Sequence, residues 1–328
     1  MKNLKLFFTT TLALLALSFS LISCGNSLLD SNGCYYDVDE AFKAAEKNNQ
    51  DVMLIITIEG NDLQSEDFMN KVVRDPAFKK DIASKYAIVC MDFSQKTFEA
   101  ANPAEDASES VKKAAEKKAE LLQKNTKYAA MVDAKETPVV YILSKEKYLI
   151  SGLFYDDENR TVDGFKAKLA EKSGSIDEMH KMIYQTKIGT SEEKVAAIDA
   201  LYNATSPSYR FMLYDLLDSV KKLDPANKTG LLEQYVYEAA VAKSDLCVAN
   251  GDARGAVNAY LELENEEALP AEVRQVAVYT AAYMCSSAGL EDNSVVISYL
   301  EKAIQLAPES EDVPRIHRVI DALSAQEK

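Results

Sequence analysis

The chain is short of the residues that most often carry chemistry. It has 2 histidines and 5 cysteines in 328 residues, and no pair of cysteines stands in a Cys-x-x-Cys spacing. His180 and His317 are too few and too isolated for a histidine-based metal site, and each reads as a surface helix residue. Cys24, Cys34, Cys90, Cys247 and Cys285 are widely scattered, which excludes the disulfide framework of a small secreted scaffold. Basic charge is also scarce. Setting aside Lys2 and Lys5 lowers the 37 basic residues to 35 against 52 acidic ones, a net of −17. Such a chain does not seek nucleic acid or anionic lipid through charge; the excess serves solubility and suits basic partners. The apolar run from Leu6 to Ile22 is shorter than the roughly 20 residues of a spanning helix.

That run has another use. Lys2 and Lys5 precede it, no acidic residue interrupts it, and it ends in Leu21-Ile22-Ser23-Cys24. A basic start and an apolar core read as a secretory signal. The last four residues resemble the bacterial lipobox, which implies cleavage before Cys24 and a lipid on its sulfur. Acyl chains hold a protein to a bilayer at roughly 0.8 kcal/mol per buried methylene. The expected division is therefore a signal peptide at 1–23 and a lipidated Cys24 with a small, polar, flexible tether at 24–34. The expected location is the cell envelope, on the inner or outer membrane and facing the periplasm, in a bacterial cell.

Residues 35–174 read as an α/β domain. Asp37-Val38-Asp39-Glu40 has capping-box spacing and opens a helix to about Asn48. Val52 to Ile58 is a continuous apolar run, the signature of a strand covered on both faces. A polar loop follows, then a helix from about Glu66 to Ser84, broken near Pro76. Strands are expected at Tyr86–Phe93, Pro138–Leu143 and Tyr148–Tyr155, a helix from about Asp106, and a closing helix at 161–172. The first strands need helical crossovers and so are parallel; the last two share a tight turn and so are antiparallel.

This order resembles the thioredoxin fold. Three stretches carry the resemblance: Leu54 to Gly60, Val72-Val73-Arg74-Asp75-Pro76-Ala77-Phe78, and Thr137-Pro138 before an apolar strand. The resemblance implies that Thr137-Pro138 is the family's cis-proline. It also places the redox pair at Asp62 and Ser65, in Asp62-Leu63-Gln64-Ser65. No cysteine lies between 35 and 89. Thiol–disulfide exchange needs a thiolate attacking sulfur, and neither a carboxylate nor an unactivated hydroxyl replaces it, so the family's redox activity is not expected here. Cys90, in mid-strand, reads as inert packing. Cys34, at the domain edge, reads either as packed or as an exposed free or intermolecular thiol. Glu59, Asp62, Glu66 and Asp67 match no calcium-loop spacing and suit a helix N-terminus. No cofactor or metal is expected.

Residues 175–328 carry only helical patterns, at about 176–187, 192–202, 208–222, 230–249, 254–264, 271–287, 294–306 and 313–323, with short connections. Cys247-x-x-x-Gly251 recurs as Cys285-x-x-x-Gly289, and Tyr260-Leu261-Glu262 as Tyr299-Leu300-Glu301, 38 and 39 residues on. Ser298 to Pro308 resembles the second helix and exit turn of a tetratricopeptide repeat, whose period is about 34. The expected architecture is a thioredoxin-like α/β domain followed by an all-α, tetratricopeptide-like repeat array. Cys247 and Cys285 would be small core residues. Tyr235, Tyr237, Tyr279 and Tyr283 are core or, where exposed, anchors for a bound peptide.

The functional expectation is a non-catalytic protein-binding or scaffolding lipoprotein, held to the membrane by its lipid and contacting other envelope proteins. The alternatives are an envelope thiol–disulfide oxidoreductase using Cys34 or another thiol, and a solute- or metal-binding lipoprotein.

Overall fold

The computed structural model describes residues 29–326. The expected signal segment and Cys24 lie outside the described residues.

The N-terminal half runs β1 (Cys34–Tyr35), α1 (Val38–Asn48), β2 (Asp51–Thr57), α2 (Leu63–Phe68), α3 (Pro76–Asp81), β3 (Tyr86–Asp92), α4 (Gln95–Ala101), α5 (Glu109–Met131), β4 (Val139–Leu143), β5 (Leu149–Phe154) and α6 (Val162–Gln185). The five strands form one mixed sheet in the order β1-β3-β2-β4-β5. β1 and β2 flank β3 in parallel, and β4 lies antiparallel between β2 and β5. The Thr137–Pro138 peptide is cis.

Alternation along the strands divides the sheet into two apolar faces. Met53, Ile55, Ile88, Val140 and Ile142 face Phe68, Val72, Phe78 and Phe165 of α2, α3, α6 and the turn between. Val52, Leu54, Ile56, Val89 and Tyr141 face Val38, Ala41 and Phe42 of α1 and Val132 at the end of α5. β2 is buried on both sides from Val52 to Thr57, as its unbroken apolar run requires. Side chains of this size stabilise the fold by roughly 1.5–3 kcal/mol each when fully buried.

Several local expectations need correction. The helix expected at 66–84 is α2, a π-helical turn at Met69–Val73, then α3; Asp75 caps the restart and Pro76 takes the first helical position, where its missing N–H costs nothing. α4 was not foreseen. Cys34 does not sit in a tether. Asp30 Oδ1 accepts from the amides of Asn32 and Cys34 at 2.8 and 2.9 Å, and this turn feeds Cys34 into β1, where it is buried. The helices expected at 161–172 and 176–187 are one helix, α6. The expected boundary at 174/175 falls inside it.

The C-terminal half is helical: α7 (Ser191–Ala204), α8 (Tyr214–Leu223), α9 (Leu232–Ala249), α10 (Ala253–Leu261), α11 (Ala271–Ser287), α12 (Asn293–Leu306) and α13 (Val313–Gln326). From α8 onward each helix packs on the next in sequence. Two turns are built alike. After α9, Gly251 takes φ +73°, the Asp252 amide bonds the Cys247 carbonyl, and Asp252 caps α10. After α11, Gly289 takes φ +60°, the Leu290 amide bonds the Cys285 carbonyl, and Asp292 caps α12. A left-handed residue ends each helix so that orphan carbonyls are satisfied, and glycine adopts it without strain.

The halves interlock. Tyr148, from the β4–β5 hairpin, is buried in the helical core. Met212, from the 3-10 turn Pro207–Leu213, is buried against the sheet.

Candidate functional site

The carboxyl ends of β2 and β3 open into a cleft of about 750 Å³. Ligand sites in such sheets fall at this end of the strands. Its walls come from the β2–α2 loop, α2 with the turn that follows it, α4, and α5.

The loop is held by its own side chains. Asp62 caps α2, accepting from the amides of Gln64 (3.2 Å) and Ser65 (2.9 Å) and from Ser65 Oγ (2.6 Å). Ser65 is fully buried, and its Oγ also accepts from the Ile58 amide at 3.1 Å. Gln64 and Leu63 point outward, Leu63 at 82 % exposure. Asp62 and Ser65, at the two positions expected for a redox pair, thus hydrogen-bond to each other and cap α2. Glu59 is paired with Arg74 (2.5 Å), which also donates to Asn70 Oδ1 (2.7 Å). Asp67 pairs with Lys71 and accepts from Tyr155 Oη at 2.8 Å. The Lys71 bond holds the Asp67 carboxyl below its ordinary value, while burial pushes Tyr155 up to about 12.

Asp92, at the end of β3, ties the loop to α4. It accepts from the Glu59 amide (2.9 Å), the Ser94 amide and hydroxyl (3.1 and 2.6 Å) and the Thr97 hydroxyl (2.6 Å). These bonds satisfy its lone pairs, so Asp92 organises the rim of the cleft. Behind it, Asn125 on α5 lines the same cleft with a buried Oδ1 that has no hydrogen-bond partner.

Cys90, in β3, also lines this cleft. Cys34 pairs with Ile88 in the sheet, two residues before Cys90, so both cysteines stand on one face. Their sulfurs lie 3.0 Å apart and both are free thiols. No local pattern marks this contact, because the residues are 56 positions apart and β1 is too short to show a period.

The helical half offers a second concave surface. A groove of about 550 Å³ lies between α9 and α11, lined by Tyr237, Val273 and Val276 together with Glu233, Glu238 and Glu272. The four tyrosines proposed as a face are not equivalent. Tyr235 is fully buried and donates to Asp199 Oδ1 at 2.6 Å; it leaves the candidate face for the core. Tyr279 is half-buried beneath the Arg315 guanidinium, 4.6 Å from its ring. Tyr237 reaches the groove and Tyr283 is 66 % exposed. Cys285 is buried in the helical core, and Cys247 is half-buried, its Sγ against Gly255. His180 is not a bare surface residue. Its Nε2 lies 3.0 Å from Asp51 Oδ2, at the opposite end of the sheet from the cleft.

Among the described residues, no helix is long and apolar enough to cross a membrane.

Residues 231–328 match a family model described as an uncharacterised protein C-terminal domain. The match begins at residue 231, one position before α9. No curated protein matches the chain. A solved structure titled "DsbH Oxidoreductase" is similar over 48 % of this chain and 98 % of its own, with 13 % identity and a TM-score of 0.32.

Proposed function

We propose that this chain is a lipid-anchored envelope protein whose helical half binds a basic, apolar-bearing segment of another protein. The groove between α9 and α11 carries the reading: its lining combines the apolar Tyr237, Val273 and Val276 with the carboxylates Glu233, Glu238 and Glu272. Aromatic and aliphatic anchors in such a groove supply affinity, and the carboxylates select for lysine and arginine and speed encounter. The N-terminal half is a thioredoxin-like scaffold in this reading. The sheet order, the antiparallel β4 and β5, and the loop before α2 support that assignment. Its loop works as a rigid cap and carries out no thioredoxin-type exchange. The twin turns at Gly251 and Gly289 support a degenerate, tetratricopeptide-like repeat. The signal and lipobox at 1–24 support export and the anchor on Cys24.

Fluorescence polarisation tests the groove with lysine-rich peptides that carry leucine or phenylalanine at helical spacing. Binding should weaken with salt. It should fall about tenfold or more in Val276→Asp, the loss of one exposed apolar contact that the peptide would cover. Equal binding of acidic and basic peptides, or an unchanged affinity in that variant, would reject the groove. Radiolabelled palmitate incorporation that persists in Cys24→Ser would reject the anchor.

A further inference from the structure

We propose that Cys34 and Cys90 form a dithiol–disulfide couple that is oxidised by small disulfides entering the cleft over β3. The site is separate from the loop at Asp62–Ser65 and does not rest on the peptide-binding reading.

Four observations carry it. The sulfurs are 3.0 Å apart, and a disulfide bond needs about 2.05 Å, so the pair closes with a shift of about one ångström. The cysteines sit on neighbouring strands of one sheet, which fixes them to each other. Access is unequal. Cys90 lines the cleft, whereas Cys34 is 2 % exposed and lies behind it. Finally, the cleft has the size of a small-molecule site and presents polar groups to a ligand: Arg74, Lys96, Lys118 and the unpartnered Asn125 Oδ1.

Unequal access sets the order of events. Cys90 loses its proton and attacks one sulfur of the small disulfide. The S–S bond of that molecule breaks, and one half leaves as a thiolate that takes up a proton. Cys34 then loses its proton and attacks Cys90 Sγ, which releases the second half as a thiol. Two protein thiols are oxidised to one disulfide, and the small disulfide is reduced to two thiols. The neighbouring Cys34 thiol and burial both push the Cys90 thiol well above the ordinary range. The thiolate is the attacking species, so oxidation accelerates with rising pH through the alkaline range. Closure would staple β1, and the turn at residues 29–33 that leads into it, to the centre of the sheet.

The test exposes the folded, purified protein to excess oxidised glutathione, quenches with acid and measures intact mass and cross-linked peptides. The expected result is a loss of two hydrogens, mapped to a Cys34–Cys90 peptide, in wild type and in the Cys247→Ser/Cys285→Ser double variant. Cys34→Ser should instead accumulate a glutathione adduct on Cys90, and Cys90→Ser should show neither product. Circular dichroism verifies that both variants fold, and the wild-type map stands without them. The proposal is overturned if folded wild type keeps all its hydrogens, if the link forms only in denaturant, or if the adduct builds up on Cys34 in Cys90→Ser.

Discussion

The two halves solve the burial problem by different means, and their cysteines show how. In the sheet, residues far apart in sequence become neighbours through strand pairing, and Cys34 meets Cys90 across two strands. In the helical half, contacts run mostly between consecutive helices. Cys247 and Cys285 occupy matching places at the ends of α9 and α11, each offering its carbonyl to a turn. Repetition puts like residues in like places; pairing brings unlike segments together. A recurring motif is therefore a guide to structure in the helical half, while in the sheet half the site arises from contacts that no motif announces. The cores differ in grain as well. Large side chains such as Phe68, Phe78 and Phe165 fill the sheet layers, whereas Ala239, Ala277, Ala281 and Ala303 let the helices approach closely.

The most direct way to break this comparison is to cut the link between the halves. Tyr148 and Met212 are each buried in the other half's core. Removing large buried side chains costs about 2–5 kcal/mol, so Tyr148→Ala and Met212→Ala should each lower stability by that much. Calorimetry should show one transition for wild type and two for the double variant. A wild-type protein that already melts in two independent steps would refute the interlock.

A subtler division runs along α6, which serves both halves. Gly164 lies in its first turn, and a Cβ there would stand 2.0 Å from the Glu158 carbonyl oxygen. Gly174, further along the same helix, has nothing within 4 Å of that position. Gly164→Ala should destabilise by about 1–3 kcal/mol through the backbone clash. Gly174→Ala should stabilise by up to about 1 kcal/mol, because alanine is the better helix former. Denaturant melts read both; equal signs for the two substitutions would show that α6 has no such asymmetry.

What the sequence revealed follows the same line. The helices at 192–202, 271–287 and 294–306 were legible to within a few residues, because a stripe at helical spacing and a cap are local signals. β2 and β4 were legible as unbroken apolar runs. The two-residue β1 was not, since a strand that short has no period, and with it went the site. Cys34 looked like part of a tether and Cys90 like inert packing. Only the pairing of Cys34 with Ile88 joins them. The acidic cluster suited a helix N-terminus, but the helix was expected from about Glu66; Asp62 caps it three residues earlier, at Leu63, and the burial of Tyr235 was not legible, because its position on α9 fits either face.

The smallest expected effect concerns how α6 is fastened to the sheet. His180 Nε2 faces Asp51 at the start of β2, and that hydrogen bond raises the imidazole above its ordinary 6.5. A raised folded value means that the contribution is complete below the unfolded value and disappears as pH rises through the folded one. The His180 side chain is 41 % exposed, so solvent screening holds the effect below about 1 kcal/mol. His180→Asn should therefore lower the melting temperature slightly at pH 5.5 and not at pH 8. Glu146, Asp177, Lys85, Lys145 and Lys187 line the same recess and surround the pair with both signs of charge. A melting difference of the same size at both pH values would trace the loss to packing along α6 instead of to the charge on the imidazole.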